Sequence, residues 1–139
     1  MKHLNLNFLD PNHRKPDRLE TILHSFGEEI SGYAKGYFYH IVTTTLEYDL
    51  VREAALYIAV PEIQYDYRII SLSYVDVENV QVEFYPLKTK QVESNVVSIK
   101  EGDQSLVQRI AQLLNGQIAS ATFAHLINLV EMKRERDDE

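Results

Sequence analysis

The 139-residue chain contains no cysteine and no tryptophan, and only five glycines and four prolines. Without cysteine it forms no disulfide and offers no thiolate, so a zinc site would have to use histidine and carboxylate alone. Basic residues are also few, 14 against 21 acidic ones. This balance argues against a nucleic-acid backbone or an anionic membrane as the main partner, because both need basic patches.

Long hydrophobic runs are missing as well. No apolar stretch approaches the roughly 20 residues that a membrane helix requires, and the first residues lack the continuous apolar core of a secretory signal. The absence of cysteine suits a reducing compartment, so we expect a cytoplasmic protein. The length fits a single domain over residues 1–139.

No catalytic or metal-binding motif is visible. The five histidines lack HxH, HxxxH and HExxH spacing, the glycines are too scattered for a phosphate-binding loop, and there is no GxSxG nucleophile elbow. The sequence therefore predicts no catalytic residue, no cofactor and no metal ion, and it favours a binding protein over an enzyme without deciding the question.

The middle of the chain has the two-residue alternation of β-strands. Strands are predicted at residues 37–48, 66–76, 80–85 and 92–99, and a short one at Leu4, Leu6 and Phe8. Residues 50–60 fit either a helix capped by Asp49 or a strand. The strand is favoured because another extended segment follows almost immediately.

The two ends of the chain have helical periodicity. Asp17 followed by Glu20 resembles a capping box and predicts a helix over 17–34, after a proline-containing loop at 10–16. Asp103 is expected to cap a second helix that ends at Asn115–Gly116 with a left-handed C-cap. A third helix is predicted over 117–134, with a charged, frayed tail at 133–139. This order predicts an α+β domain: an antiparallel meander of four to six strands, with the N-terminal helix and two C-terminal helices on one face.

Tyrosine is the one compositional oddity, because all nine tyrosines lie between residues 33 and 85. They represent either ordinary cross-strand packing or a sheet face that contacts a protein or an organic ligand. For the second alternative, the candidate partner-binding residues are Tyr37, Tyr39, Tyr65 and Tyr67.

Two further groups of side chains are candidates. His40, Tyr48 and Tyr74 would line a pocket between the sheet and the helices, although a buried, hydrogen-bonded imidazole is the simpler interpretation of His40. The last helix is apolar on two sides, so it is either sandwiched within the domain or packed against a second subunit. The side proposed for a dimer carries Ile118, Thr122, His125 and Leu129.

The sequence thus predicts a small, acidic, cytoplasmic domain that binds a protein or associates with itself, as adaptor, chaperone-like or immunity-type proteins do. A homodimer is the favoured assembly. The alternative is a small-molecule-binding domain or enzyme with a pocket between sheet and helices.

Overall fold

A five-stranded antiparallel sheet is the centre of the fold. The computed structural model describes residues 16–48, 50–87 and 91–138. The strands are β1 (Tyr39–Glu47), β2 (Leu50–Val60), β3 (Tyr65–Asp76), β4 (Asn79–Phe84) and β5 (Glu93–Ser98), paired in that order. The helices are α1 (Arg18–Tyr33), α2 (Gln104–Leu114) and α3 (Gln117–Asp137), and a short 3-10 turn spans Pro61–Ile63. The α+β meander is confirmed, whereas the predicted strand at Leu4–Phe8 and most of the 10–16 loop lie outside the described residues.

The helices cover one face of the sheet, which we call the inner face. α1 packs on β1 and β2, while α2 packs on β4 and β5. Large side chains of the sheet and the helices meet there without access to water: Leu56, Ile58, Ile70, Leu72 and Phe84 from the strands, and Leu19, Leu23, Leu106, Ile110 and Leu126 from the helices. Burial of this apolar area is the main force that holds the two layers together.

Residues 50–60 form a strand, as favoured. β2 is paired on both sides, with β1 and with β3. Even Ala55 and Ala59, which point away from the helices, are almost inaccessible to solvent. A strand with buried residues on both faces has a nearly continuous apolar sequence. The sequence of residues 50–60 is for this reason compatible with a helix as well as with a strand.

The irregularities of the sheet lie in β2 and β3. Arg52 is the extra residue where the β1–β2 register shifts, and Ile69 and Val75 are the extra residues of β3. Such bulges add twist and bend the strand that carries the extra residue. β1 contributes no extra residue, although its pairing with β2 shifts between Thr45 and Leu46.

Two predicted helix ends differ in their details. Asp17 caps α1 by accepting a hydrogen bond from the Leu19 amide at 3.0 Å, as expected. Asp103 precedes α2 but does not cap it, because its carboxylate forms an ion pair with Arg18 Nε at 3.0 Å. Asn115 ends α2 with φ −88°, which is not in the left-handed region, and Gly116 is already the N-cap of α3. Gly116 has the extended backbone of an N-cap, so no residue between the two helices is left for a left-handed C-cap.

The charged end of the chain is helical through Asp137, where a frayed tail was predicted from residue 133. Lys133 pairs with Asp137 at 3.2 Å, one turn apart. The Arg134 guanidinium donates to the Glu62 carboxylate at 2.9 Å and to the Gly36 carbonyl at 2.6 Å. Contacts to distant parts of the fold therefore order the last turns of α3.

α1 approaches β1 most closely at Gly27. A Cβ atom placed on Gly27 would lie 3.0 Å from His40 Cβ and closer still to the imidazole ring. Gly32, in the same helix, has no atom within 4 Å of such a Cβ. Only the first glycine is thus required by packing.

We expect Gly27→Ala and Gly32→Ala to change the free energy of unfolding in opposite directions. Alanine in a helix is normally more favourable than glycine by roughly 0.5–1 kcal/mol, and Gly32→Ala should gain that amount. Gly27→Ala should instead lose about 1–3 kcal/mol, because the added methyl forces α1 and β1 apart. Urea denaturation of both variants measures this difference; equal stabilisation would contradict the close contact.

Candidate functional site

The free edge of β1 is the most unusual feature of the described surface. β1 is the first strand of the sheet and pairs with β2 alone among the described residues. From Tyr39 to Leu46 it contains no charged residue and no proline. Sheets normally protect such an edge with lysine, proline, a bulge or a short strand. β1 has neither lysine nor proline and is nine residues long, and its pairing with β2 is irregular only near its end, between Thr45 and Leu46. Among the described strands none but β2 pairs with it, so the backbone groups that face away from β2 form a template for another strand.

The opposite edge of the sheet is better protected. β5 has six residues, is solvent-exposed over most of them, and begins with Glu93. A short edge offers few consecutive hydrogen bonds to an incoming strand. Each edge strand has one terminal glutamate, so the two edges differ chiefly in length, nine residues in β1 against six in β5.

Exposed apolar side chains continue this surface beyond the end of β1. We call Tyr48, Leu50, Val75 and Val77 the hairpin cluster, because they belong to the β1–β2 and β3–β4 hairpins. Tyr48 is 93% exposed, Leu50 72% and Val77 88%. The four side chains line one groove of about 530 Å³ together with Asp17, Arg18, Glu47, Arg52 and Asp76. Neighbouring exposed apolar side chains of this kind are a common feature of interaction surfaces.

Two of the three predicted pocket residues meet in this groove. Tyr48 occupies the turn after β1 with φ +52°, and Tyr74 lies on the inner face of β3. The Tyr74 hydroxyl donates to the Asp17 carboxylate at 3.0 Å; burial and this carboxylate raise the pKa of Tyr74 to about 12. His40 lies elsewhere, under α1, with its Nδ1 2.9 Å from Ser31 Oγ. The three residues do not form one pocket.

The four tyrosines predicted to contact a partner do not share one surface. Tyr39 is half-exposed on the outer face, at the start of β1. Tyr65 and Tyr67 stack on each other on the inner side, with ring centroids 6.4 Å apart. The Tyr37 hydroxyl donates to Glu131 of α3 at 2.7 Å, and this hydrogen bond raises the pKa of Tyr37. Only Tyr39 belongs to the edge of β1.

The predicted dimer side of α3 is divided. Ile118 is exposed and His125 and Leu129 are half-buried, whereas Thr122 is buried within the chain. The Thr122 hydroxyl donates to the Ile118 carbonyl at 3.0 Å. Thr122 joins the stripe that packs on the core because this stripe, Ala119, Thr122, Leu126 and Val130, repeats every three to four residues.

A separate cavity of about 350 Å³ lies between the three helices. Its walls include Phe26, Phe38 and Phe123, and the rings of the last two stack with centroids 5.9 Å apart. Glu29 is the one charged side chain in its lining. The sequence marks these residues as apolar core positions, and no local pattern reveals that three helices leave a gap between them.

Comparison of the chain with protein-family models, with curated proteins and with solved structures found no significant match. Within the described residues, no three histidine or carboxylate side chains are grouped so that they could hold a metal ion. No helix in the same residues is long and apolar enough to cross a membrane. The candidate functional features of the described residues are therefore the edge of β1, the hairpin cluster and the cavity.

We expect Tyr67 and Tyr74 to make stability fall at alkaline pH. Burial raises the pKa of each phenol to about 12, whereas in the unfolded chain both ionise near pH 10, the ordinary value for tyrosine. Their stabilisation is therefore complete below about pH 10 and is lost as the pH rises towards the folded value. Urea denaturation across this range should show a shallower decline for Tyr67→Phe/Tyr74→Phe than for the wild type. Identical slopes would contradict the raised pKa values.

Proposed function

We propose that the protein is a non-catalytic binding domain that adds an extended strand of a protein partner, or of its own copy, to the edge of β1. The observation that carries this proposal is the uncharged edge from Tyr39 to Leu46. In strand addition, main-chain hydrogen bonds supply affinity and alternate side chains supply specificity.

The side chains of β1 suit this role on both faces. The outer face presents Tyr39, Ile41, Thr43 and Thr45, which are aromatic or β-branched and favour strand pairing. Each well-matched cross-strand pair contributes roughly 0.2–1 kcal/mol. On the inner face, His40, Val42 and Thr44 are half-buried at the margin of the core. A partner strand with an apolar inner face would extend that margin.

The hairpin cluster supports the same surface. It lies where β1 ends, so a partner that pairs along β1 also covers part of Tyr48 and Leu50. Around the cluster the carboxylates of Asp17, Glu47 and Asp76 outnumber the guanidinium groups of Arg18 and Arg52 by one, which slightly favours a partner with a basic residue at this end. A cytoplasmic location belongs to the same proposal and is supported by the lack of cysteine.

We expect lysines in β1 to abolish strand addition. The edge-lysine variant, Ile41→Lys/Thr45→Lys, places two charges on the outer face of β1. Random peptides displayed on phage and selected on the full chain should be rich in alternating β-branched residues. Their affinity should fall at least roughly tenfold with the edge-lysine variant, about 1.4 kcal/mol.

The matched control is the β5-lysine variant, Ser94→Lys/Val96→Lys, on the same face of the opposite edge. It should keep the affinity of the selected peptides, and circular dichroism should show both variants folded. Equal binding by the wild type and the edge-lysine variant would rule out β1 as the binding edge.

The cavity between the helices favours a second candidate function, binding of a small apolar molecule. Its volume of about 350 Å³ lies at the lower end of the range typical of ligand pockets. Aromatic walls and the Glu29 carboxylate would suit an aromatic body with a basic nitrogen. None of His40, Tyr48 and Tyr74 lines this cavity, so it differs from the pocket predicted from the sequence.

Dansylcadaverine, a naphthalene fluorophore with an alkyl primary amine, tests this second function. Its emission should rise with the wild type and stay low with Ala111→Phe, because the added ring fills the cavity that Ala111 lines. Val107→Leu, at an exposed position one turn earlier on α2, is the control and should bind as the wild type does. Equal emission with Ala111→Phe would exclude this cavity as the site.

A further inference from the structure

We infer that the occupant of the β1 edge is a second copy of the chain, paired antiparallel through β1 about a twofold axis at Thr43. The inference rests on the proposed function and names its partner. Two five-stranded sheets would then join into one continuous sheet. Closed twofold pairs are the commonest assemblies of soluble proteins.

The length of β1 determines the register. Thr43 is the central residue of the nine in β1, so an axis there pairs every residue of the strand with the second copy. In this register the outer-face side chains of β1 lie opposite outer-face side chains of the second copy, and the inner-face side chains lie opposite inner-face ones. The outer pairs are Thr43 with Thr43, Ile41 with Thr45, and Tyr39 with Glu47; the inner pairs are Val42 with Thr44 and His40 with Leu46.

Charge supports this register. Glu47 is the one acidic residue of β1, and an axis near it would oppose two carboxylates. The axis at Thr43 instead places Glu47 opposite Tyr39, which is 51% exposed and has a hydroxyl that can donate. Arg52 holds Glu47 Oε2 at 2.6 Å, and Oε1 is the oxygen that would accept from Tyr39 of the second copy.

The surfaces beyond the strand also complement each other. The axis places the end of β1 in one copy, with Tyr48, beside the connection that precedes β1 in the other, with Lys35. Tyr48 is 93% exposed in the single chain. The groove beside Tyr48 has three carboxylates and two guanidinium groups, and its excess negative charge would face Lys35. One strand pair alone buries less than the roughly 1,200–2,000 Å² of a typical stable interface, so these flanking contacts matter.

Single cysteines test the register directly, because the chain has none of its own. Directly opposed residues of an antiparallel pair have Cα atoms about 4.5–5.5 Å apart, within the range of a disulfide. Oxidised Thr43→Cys should run as a dimer on a non-reducing gel. Ile41→Cys and Thr45→Cys should each stay largely monomeric and form a disulfide when mixed. Ser94→Cys, on β5, is the control and should remain monomeric.

Light scattering after size exclusion tests the partner. The wild type should have twice the chain mass of 16.1 kDa. The edge-lysine variant should be monomeric, because its lysines at positions 41 and 45 oppose each other across the axis. Mixing it with Ile41→Glu/Thr45→Glu should restore the dimer mass through opposite charges.

The outcomes separate this inference from the proposed function. A monomeric wild type whose selected peptides still bind at β1 would overturn the second copy as partner and leave strand addition intact. A dimer that fails to form the Thr43→Cys disulfide, or forms it equally at Ser94→Cys, would overturn the register and the inference with it. If lysines in β1 change neither peptide binding nor mass, the proposed function fails as well.

Discussion

The helix α1 packs directly across the inner face of β1. It is close enough at Gly27 and His40 to exclude a Cβ atom, so this outermost strand of the sheet is held along its inner face. At the same time the edge of β1 stays open among the described residues. A strand that is already ordered loses little further conformational entropy when another strand joins it, and this makes β1 suitable for binding.

The two edges of the sheet and the cavity lie in different parts of the molecule, and different roles are proposed for them. The irregular residues of the sheet, Arg52, Ile69 and Val75, all lie in β2 and β3. The edge without a charged residue, from Tyr39 to Leu46, therefore lies on β1, next to the exposed apolar hairpins. The cavity lies among the helices and depends on other side chains, so a ligand there and a strand at β1 would bind independently.

Local sequence patterns were sufficient for most of the fold but not for the site. Alternation of Ile70 and Leu72 and the capping role of Asp17 follow from neighbouring residues alone, and both are present in the structure. Which strand lies at the edge of the sheet depends on pairing between segments that are far apart in the chain, and local periodicity carries no information about that pairing. For the same reason the pattern placed Thr122 on an outward side of α3, and it did not anticipate that Arg134 would order the charged end through Glu62.

Strand addition at the edge of β1 can be measured directly by NMR, as hydrogen–deuterium exchange of the backbone amides at increasing protein concentration. In an antiparallel pair, every second residue of β1 directs its amide away from β2. If a strand is added at β1, these amides exchange fast in dilute protein and become protected as the concentration rises, while the amides of β5 do not change. Protection that appears in β5, or that never appears in β1 with either a second copy or a selected peptide, would contradict strand addition at β1.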